Sequence, residues 1–430
     1  SYARRRRKWL RGRRGVRVRL LVDDLNIGDH ESDLALLDAH PKLEVRLFNP
    51  FAARGTWRLA RLLEWLGSTQ RLDRRMHNKL WVADGAVAVL GGRNLADAYF
   101  SATQQGDFAD LDVLASGPVV AETSRSFDAY WNSEAAVPIT AFAVAPPRPE
   151  DLQAGWADLS ARTQLVRDSD YIRALRATAF GSMVRQARLP LVAAPAQVLA
   201  DAPTLPPAAS TAEAAPDASA IFPPLRRAVE QAQREATFVT PYFVPGPGTV
   251  QVLCGLVQRG VRVRILTNSL ASTDVPLVHA GYARYRPQLL ACGVALHELR
   301  PHATGQAGSQ IARLGLSSGA SLHAKAVVID GQTVFVGSMN LDPRSRGLNT
   351  EIALRMDSLI LGAQLGRLFD EATALDQAFR VERVDANTAA LRWIGMEDGQ
   401  QVAYADEPLA SAWRRWVTRL LWSLAPESLL

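Results

Sequence analysis

One spacing of histidine, lysine, aspartate and asparagine occurs twice in this chain of 430 residues. The first copy is His77-Asn78-Lys79, then Asp84, then Gly91-Gly92-Arg93-Asn94. The second is His323-Ala324-Lys325, then Asp330, then Gly337-Ser338-Met339-Asn340. Both read H-x-K-(x)4-D-(x)6-G-[G/S]-x-N. Each aspartate precedes a glycine, and apolar runs flank the pair at 80–83 and 86–89, and again at 326–329 and 333–336. Asp-Gly between apolar runs is the strongest local hairpin signal, because a type I′ turn needs positive φ at both central residues. A two-residue turn puts His77 opposite Gly92 and His323 opposite Ser338. His and Lys at i and i+2 then share a strand face, with a small residue across from each His and an asparagine two positions on. On this reading Asp84 and Asp330 form turns and are not reactants. Two imidazoles, two ammonium groups and two amides are the material of one symmetric phosphate site. The alternative, ordinary hairpins with polar ends, suits one copy better than two.

The halves correspond beyond these motifs. Gly15-Val16-Arg17-Val18-Arg19-Leu20-Leu21 returns as Gly260-Val261-Arg262-Val263-Arg264-Ile265-Leu266. Gly15 and Gly260 stand 245 residues apart and the two histidines 246, so a net change of one residue separates the copies. Such self-similarity predicts duplicated domains. Within each copy strands alternate with helices, which predicts α/β layers with helices on both sheet faces. The length also exceeds what one core organises, so two domains are expected. The second copy opens with an apolar strand over 235–244, ending Thr240-Pro241-Tyr242-Phe243. The first copy has no equivalent: Ser1 falls inside the helix that should follow that strand, and no initiator Met precedes it. The natural protein is therefore expected to extend further at its N-terminus, and one sheet position of the first domain is in question.

Composition bounds the class. Apolar residues make up 48% of the chain, enough for large cores. No run of about eighteen apolar residues occurs, so no membrane-spanning helix is expected. Cys254 and Cys292 are the only cysteines, which suggests neither a disulfide framework nor a zinc site. A net charge of +6 suits an anionic partner, a phospholipid surface or a nucleic acid.

The paired motif resembles the HKD signature of the phospholipase D superfamily. Its setting, Arg75-Met76-His77-Asn78-Lys79 with Gly91-Gly92-Arg93-Asn94, and Asn340-Leu341-Asp342-Pro343-Arg344-Ser345, is similar to bacterial cardiolipin synthases of the C type. So are Val45-Arg46-Leu47-Phe48-Asn49-Pro50, Thr267-Asn268-Ser269-Leu270-Ala271-Ser272-Thr273-Asp274 and Val278-His279-Ala280-Gly281-Tyr282. The likeness covers the whole chain and is weakest over 150–235 and 301–320. It implies two similar phospholipase D-type domains, each a mixed sheet flanked by helices, with the active site at their interface. The expected limits are 1–150 and 235–405, joined by 151–234 with an Ala/Pro-rich loop near 202–220. Residues 406–430 read as an amphipathic terminal helix. The Gly/Ser-rich stretch 304–320 reads either as a plain connection or as a loop controlling substrate entry.

The mechanism implied by the resemblance uses no metal and no cofactor. One His attacks phosphorus and forms a phosphohistidine; the other protonates the leaving alcohol and then activates the incoming hydroxyl. By family precedent His77 is the nucleophile and His323 the acid/base. Lys79 and Lys325 supply charge, and Asn94, Asn340 and Ser338 hydrogen-bond donors, for the phosphoryl oxygens. Each imidazole needs an acceptor on its other nitrogen; family position points to Asp110 and Glu351, with Asp112 as alternative to Asp110. Gly92 in place of Ser makes the site asymmetric. Thr240 and Tyr242 are expected either to line the pocket or to serve the core.

Two surfaces bear on partners. Residues 1–19 are dense in arginine, suited to anionic headgroups or simply a solvated helix face. At the other end Trp413, Trp416, Val417, Leu420, Leu421 and Leu424 recur at helical spacing, with Arg414, Arg415 and Arg419 on other faces. This is the pattern of an interfacial helix, or of a terminal helix packed on its domain. The resemblance implies transfer of a phosphatidyl group to the glycerol hydroxyl of phosphatidylglycerol, with phosphatidylethanolamine a second lipid substrate to consider, by a peripheral protein of the bacterial inner membrane. Nucleic acid is the less expected partner. Because the motif fixes the phosphodiester and not the acceptor, a hydrolytic phospholipase D or a nuclease using water stays open. A binding module with no activity has no use for two matched His/Lys/Asn sets.

Overall fold

The computed structural model describes most of the chain from residue 15 to 424. Stretches 1–14, 55–60, 101–107, 143–147, 204–218, 302–320 and 425–430, with some shorter ones, fall outside the described residues. The basic N-terminal run, most of the Ala/Pro-rich loop and the Gly/Ser-rich stretch therefore lie outside them.

The expected α/β architecture is present. In the first half the strands are β1 (Val18–Asp23), β2 (Leu43–Phe48), β3 (Leu80–Ala83), β4 (Val87–Gly91), β5 (Phe108–Ala109), β6 (Asp112–Ser116) and β7 (Ala136–Pro138). After β8 (Ala196–Ala200), the second half adds β9 (Glu235–Val239), β10 (Arg262–Asn268), β11 (Ala295–Leu299), β12 (Ser321–Leu322), β13 (Ala326–Ile329), β14 (Thr333–Gly337) and β15 (Ile352–Asp357). The last three are β16 (Ala378–Arg383), β17 (Leu391–Glu397) and β18 (Gln400–Tyr404). Ten of these form one mixed sheet in the order β18-β17-β16-β11-β10-β9-β13-β14-β15-β8. Strand β8, from the stretch expected to connect the domains, closes its edge against β15. The central strands are apolar on both faces because both are covered. Val327, Ile329 and Phe335 enter one core with the helix Gly246–Gln258, while Ala326, Val328, Val334 and Val336 enter another on the opposite face.

The first half is built on the same plan with one break. Its strands fall into two three-stranded sheets, β1-β2-β7 and β3-β4-β6. In the second half β9 pairs with both β10 and β13 and fuses the corresponding pieces. Among the described residues no strand holds that position in the first half, in line with the sequence.

The motif hairpins form as read, with one correction. Asp84 and Gly85 have φ of 54° and 63°, and Asp330 and Gly331 54° and 67°, as an Asp-Gly turn requires. The ladders, however, pair Ala83 with Val87 and Ile329 with Thr333. Ala86 and Gln332 are thus extra residues on the return strands, bulged out just after the turn. The expected apposition of His77 with Gly92 and of His323 with Ser338 is wrong by this one residue. The shared face of His and Lys is untouched, since it depends on a single strand.

The two hairpins pack against each other across the interface between the halves. Ala88, Leu90, Ala115 and Val120 from the first half share a core with Val328, Val334, Val336 and Leu354 from the second. A second correction concerns the cysteines: Cys254 and Cys292 are bonded, their Cα atoms 5.4 Å apart. Their separation of 38 residues gives no hint of this, because the adjacency of helix Gly246–Gln258, which carries Cys254, to helix Arg286–Ala291, which Cys292 caps, is a tertiary fact.

Asp330 does more than turn the chain. Its carboxylate accepts the backbone N–H groups of Gln233, Arg234 and Glu235 and so fastens β9 to the hairpin. We expect Asp330→Ala to lower the thermal unfolding midpoint, at a cost of roughly 1–3 kcal/mol for lost acceptors and a strained turn residue. Calorimetry checks this; an unchanged midpoint would remove the structural role of the motif aspartate.

Candidate active site

Each histidine stands where a strand from one half runs parallel to a segment of the other. The His77 N–H bonds Thr350 O at 2.9 Å, and the Thr350 N–H returns to Arg75 O at 2.9 Å. At the other position β12 pairs in parallel with β5, and the His323 N–H bonds Ala109 O at 2.7 Å. One residue beyond each partner lies a carboxylate. Glu351 Oε2 is 2.8 Å from His77 Nδ1, and Asp110 Oδ2 is 2.8 Å from His323 Nδ1. Each half thus supplies the acceptor for the other half's histidine, a crosswise pairing that the sequence leaves undetermined. Asp112, the alternative acceptor, pairs instead with Arg93 at 2.6 Å.

A matched pin holds each histidine strand in place. Asp23, the last residue of β1, accepts the Met76 N–H at 2.9 Å, and Asn268, the last of β10, accepts the Leu322 N–H at 2.9 Å. No motif marks these residues, yet the repeat offset relates them: Asp23 and Asn268 are 245 apart, Met76 and Leu322 246.

The small residue of each motif packs against a carboxylate, with no ligand space across from a histidine. A Cβ on Gly92 would fall 2.3 Å from Asp110 Oδ1. Ser338 is fully buried and donates its hydroxyl to Glu351 Oε2 at 2.5 Å. A serine has one hydroxyl proton, so the donor expected for phosphate is given to the carboxylate. Ser345 donates to Glu351 Oε1 at 2.8 Å, a role the sequence does not reveal although the residue lies in a stretch that carries the resemblance. Among the described residues Asp110 takes, besides His323, only the Leu111 N–H, at 2.8 Å.

That difference in donors sets the electrostatics apart. Burial pushes Asp110 up to about 7, against the pull of Lys325. Burial also acts to raise Glu351, but His77, Lys79 and the Ser338 hydroxyl outweigh it and hold the carboxyl below its usual range. His77 is lowered by burial, opposed by Glu351. His323 lies well below the ordinary histidine value through burial and the nearby Lys325 and Lys79. Both imidazoles are therefore held neutral near pH 7, as a nucleophile or base requires.

The lysines follow their histidines on the same face. Lys79 Nζ donates to His77 O at 2.6 Å, and Lys325 Nζ lies 2.7 Å from His323 Nδ1. Burial lowers Lys79 to about 7 and Lys325 to about 8. Asn94 Nδ2 donates to the Tyr99 hydroxyl at 2.7 Å, and Asn340 is buried with its Oδ1 unpartnered. Thr240 serves the backbone, accepting the Leu341 N–H and donating to Tyr242 O. Tyr242 stands edge-on to His323 with ring centroids 6.4 Å apart.

Among the described residues, ligand atoms of His279, Glu298 and Glu407 also converge, within 4.8 Å of one another. The Arg286 guanidinium sits among them, 3.3 Å from Glu298 and 2.5 Å from Glu407, and supplies the positive charge there.

A family model described as cardiolipin synthase, PLD-like domain, matches residues 225–373. The chain is 38% identical to cardiolipin synthase C of Escherichia coli (strain K12) over 425 residues, 97% of this chain and 85% of that protein. It is 26% identical to cardiolipin synthase A of Erwinia tasmaniensis over 83% of this chain and 55% of that protein, so it spans about half that relative's length. Among solved structures it is similar to phosphatidylserine synthase of Haemophilus influenzae Rd KW20, with a TM-score of 0.55 and 15% identity, covering 99% of this chain and 91% of that one. At that identity the likeness is one of fold. The chain belongs to the cardiolipin synthase family of phospholipase D-like proteins.

The lysine values give a test independent of turnover. Sulfate keeps its charge across neutral pH, so its affinity for the site reports the two ammonium groups. As pH rises through about 7 and 8 the lysines lose their protons, and sulfate binding should weaken about tenfold by pH 9. Calorimetric titration of sulfate checks this; affinity flat to pH 9 would mean that both lysines keep their ordinary pKa.

Proposed function

We propose, from that membership and the crosswise site, that the protein is a phosphatidyltransferase of the cardiolipin synthase type. It moves a phosphatidyl group from one phospholipid to the glycerol hydroxyl of phosphatidylglycerol. The single observation that best supports this is the pairing of each motif histidine with a buried carboxylate from the opposite half. The identity over nearly the whole chain supports the lipid acceptor over water.

In the first half-reaction His77 Nε2 attacks phosphorus while Glu351 holds the Nδ1 proton and stabilises the charge that develops on the ring. His323, oriented by Asp110, is neutral in the free site; it takes up a proton at Nε2 when the anionic phosphodiester binds beside it and passes that proton to the leaving oxygen. In the second, His323 takes the proton of the incoming hydroxyl as that oxygen attacks phosphorus and the bond to His77 breaks. Lys79 and Lys325 sit on the same faces as the histidines and meet the phosphoryl oxygens with positive charge. Asn94 and Asn340 are the further donors, and Ser338 acts through Glu351. The order of the two histidines rests on family precedent. The two motif-bearing units are assigned to 1–150 and 235–405.

Phospholipid substrates require access to a membrane surface, and we assign the protein to the face of the bacterial inner membrane as a peripheral enzyme. No helix among the described residues is long and apolar enough to cross a membrane. The terminal helix Ala412–Leu424 is both packed and exposed. Arg414 donates to Thr273 O, Arg419 and Arg415 pair with Asp406, and Thr418 is buried. Trp413 and Trp416 stack at 5.0 Å and remain 70% and 54% exposed. Aromatic side chains of this kind settle at headgroup depth. Thr273 adjoins Asp274, which accepts the Tyr242 hydroxyl, so the helix is tied to the His323 side of the site.

Incubation with phosphatidylglycerol vesicles, with and without phosphatidylethanolamine, is expected to yield cardiolipin, and to do so in the presence of a chelator. Phosphatidic acid alone, DNA cleavage without lipid turnover, or a metal requirement would sink the reading. His77→Ala and His323→Ala should each reduce turnover by at least about a thousandfold, as loss of a nucleophile or its acid/base partner does elsewhere. Trp413→Ser with Trp416→Ser should weaken binding to anionic vesicles about tenfold and spare hydrolysis of a soluble phosphodiester; unaltered sedimentation with vesicles would remove the helix from the membrane contact.

A further inference from the structure

The two histidines differ in their surroundings more than in their motifs. The His77 side chain is 24% exposed, and among the described residues no aromatic ring packs against it. His323 is buried to 4% and faces three rings. Tyr99 and Phe108 meet its imidazole edge-on, at centroid distances of 5.0 and 5.4 Å, and Tyr242 at 6.4 Å. Tyr99 and Phe108 stack on each other at 4.6 Å. The polar ends of the tyrosines are occupied: the Tyr99 hydroxyl accepts from Asn94, and the Tyr242 hydroxyl donates to Asp274. What the collar turns toward His323 is therefore hydrocarbon.

We propose that Tyr99, Phe108 and Tyr242 form a collar that selects the acceptor, admitting a lipid-borne hydroxyl to His323 and keeping free water from it. This deepens the transferase reading and rests on it. A phosphohistidine on His77 has two fates. An alcohol can give its proton to His323 Nε2 while its oxygen bonds phosphorus and the P–N electron pair returns to His77. Water can do the same and leave phosphatidic acid. The chemistry is identical, and water is in vast excess, so selection must come from what reaches the base. Apolar walls close around the base offer water no hydrogen bonds and raise the free energy of its entry. An alcohol carried on a lipid enters with binding energy from its own apolar body. The asymmetry also fits the positions: the collar surrounds the histidine that activates the acceptor. These are positioning residues, since none is placed to react.

No sequence pattern marks the collar. Tyr99 and Phe108 lie in the first half and Tyr242 in the second, and the three meet only across the interface.

The test is the partition of products at equal donor consumption. With phosphatidylglycerol vesicles, Phe108→Ala should raise the ratio of phosphatidic acid to cardiolipin about tenfold, with total donor consumption held within about threefold of the parent. Phe108→Leu, which restores apolar bulk, should return the ratio toward the parent value, and Tyr242→Ala, which likewise removes a ring, covers the case in which Phe108→Ala fails to fold. A ratio unchanged in folded Phe108→Ala or Tyr242→Ala overturns the collar. So does a fall of both products in proportion, which is what a merely structural role would give. The same partition is measured with glycerol as a soluble acceptor. If the parent protein makes no cardiolipin but still divides a donor between glycerol and water, the lipid-acceptor reading fails while the collar is still judged by that ratio. If the parent consumes no donor at all, both fall.

Discussion

Each imidazole of the site is held by a carboxylate from the other half of the chain, and that exchange organises the interface. A histidine left to itself on a strand end has two tautomers and several rotamers. A buried carboxylate at 2.8 Å from Nδ1 removes that freedom and leaves Nε2 to act. The cost is a buried charge on each side, which is tolerable only with paired and hydrogen-bonded oxygens. The packed hairpins, the parallel backbone contacts beside each histidine and the pins from Asp23 and Asn268 all keep those two distances fixed.

The repeated motif gives the site its symmetry, and single residues break it. At the position of Ser338 the first copy has Gly92, so Glu351 has a hydroxyl donor and Asp110 has none from there. The carboxylates separate accordingly, one drawn below its usual range and the other pushed up to about 7. The rings around His323 widen the difference. Two equivalent histidines would serve a symmetric reaction, but a nucleophile and an acid/base have different needs. The divergence supplies two environments without disturbing the shared backbone.

Much of this plan is legible in the order of the residues. Asp84-Gly85 and Asp330-Gly331 announce their turns because positive φ is a local demand. The shared face of His77 with Lys79, and of His323 with Lys325, follows from strand alternation alone. What fails are statements about what lies across from something else. The pairing of His77 with Gly92 assumes a turn of two residues, and Ala86 adds a third. Cys254 and Cys292 meet because two helices are neighbours. Ser338 reads as a donor to the phosphate, and its hydroxyl points to Glu351.

The sequence by itself determined the duplicated α/β plan, the chemistry carried by each motif and the place of the aspartates in turns. All of these depend on residues within one motif, His77 to Asn94 or His323 to Asn340, or on repetition of such a segment. Tertiary structure decided which carboxylate serves which histidine, what the small residues pack against, and that among the described residues aromatic rings surround His323 and not His77. Those contacts join residues up to 274 positions apart. No local preference encodes them, because they arise only when two independently patterned halves bury their hairpins against each other.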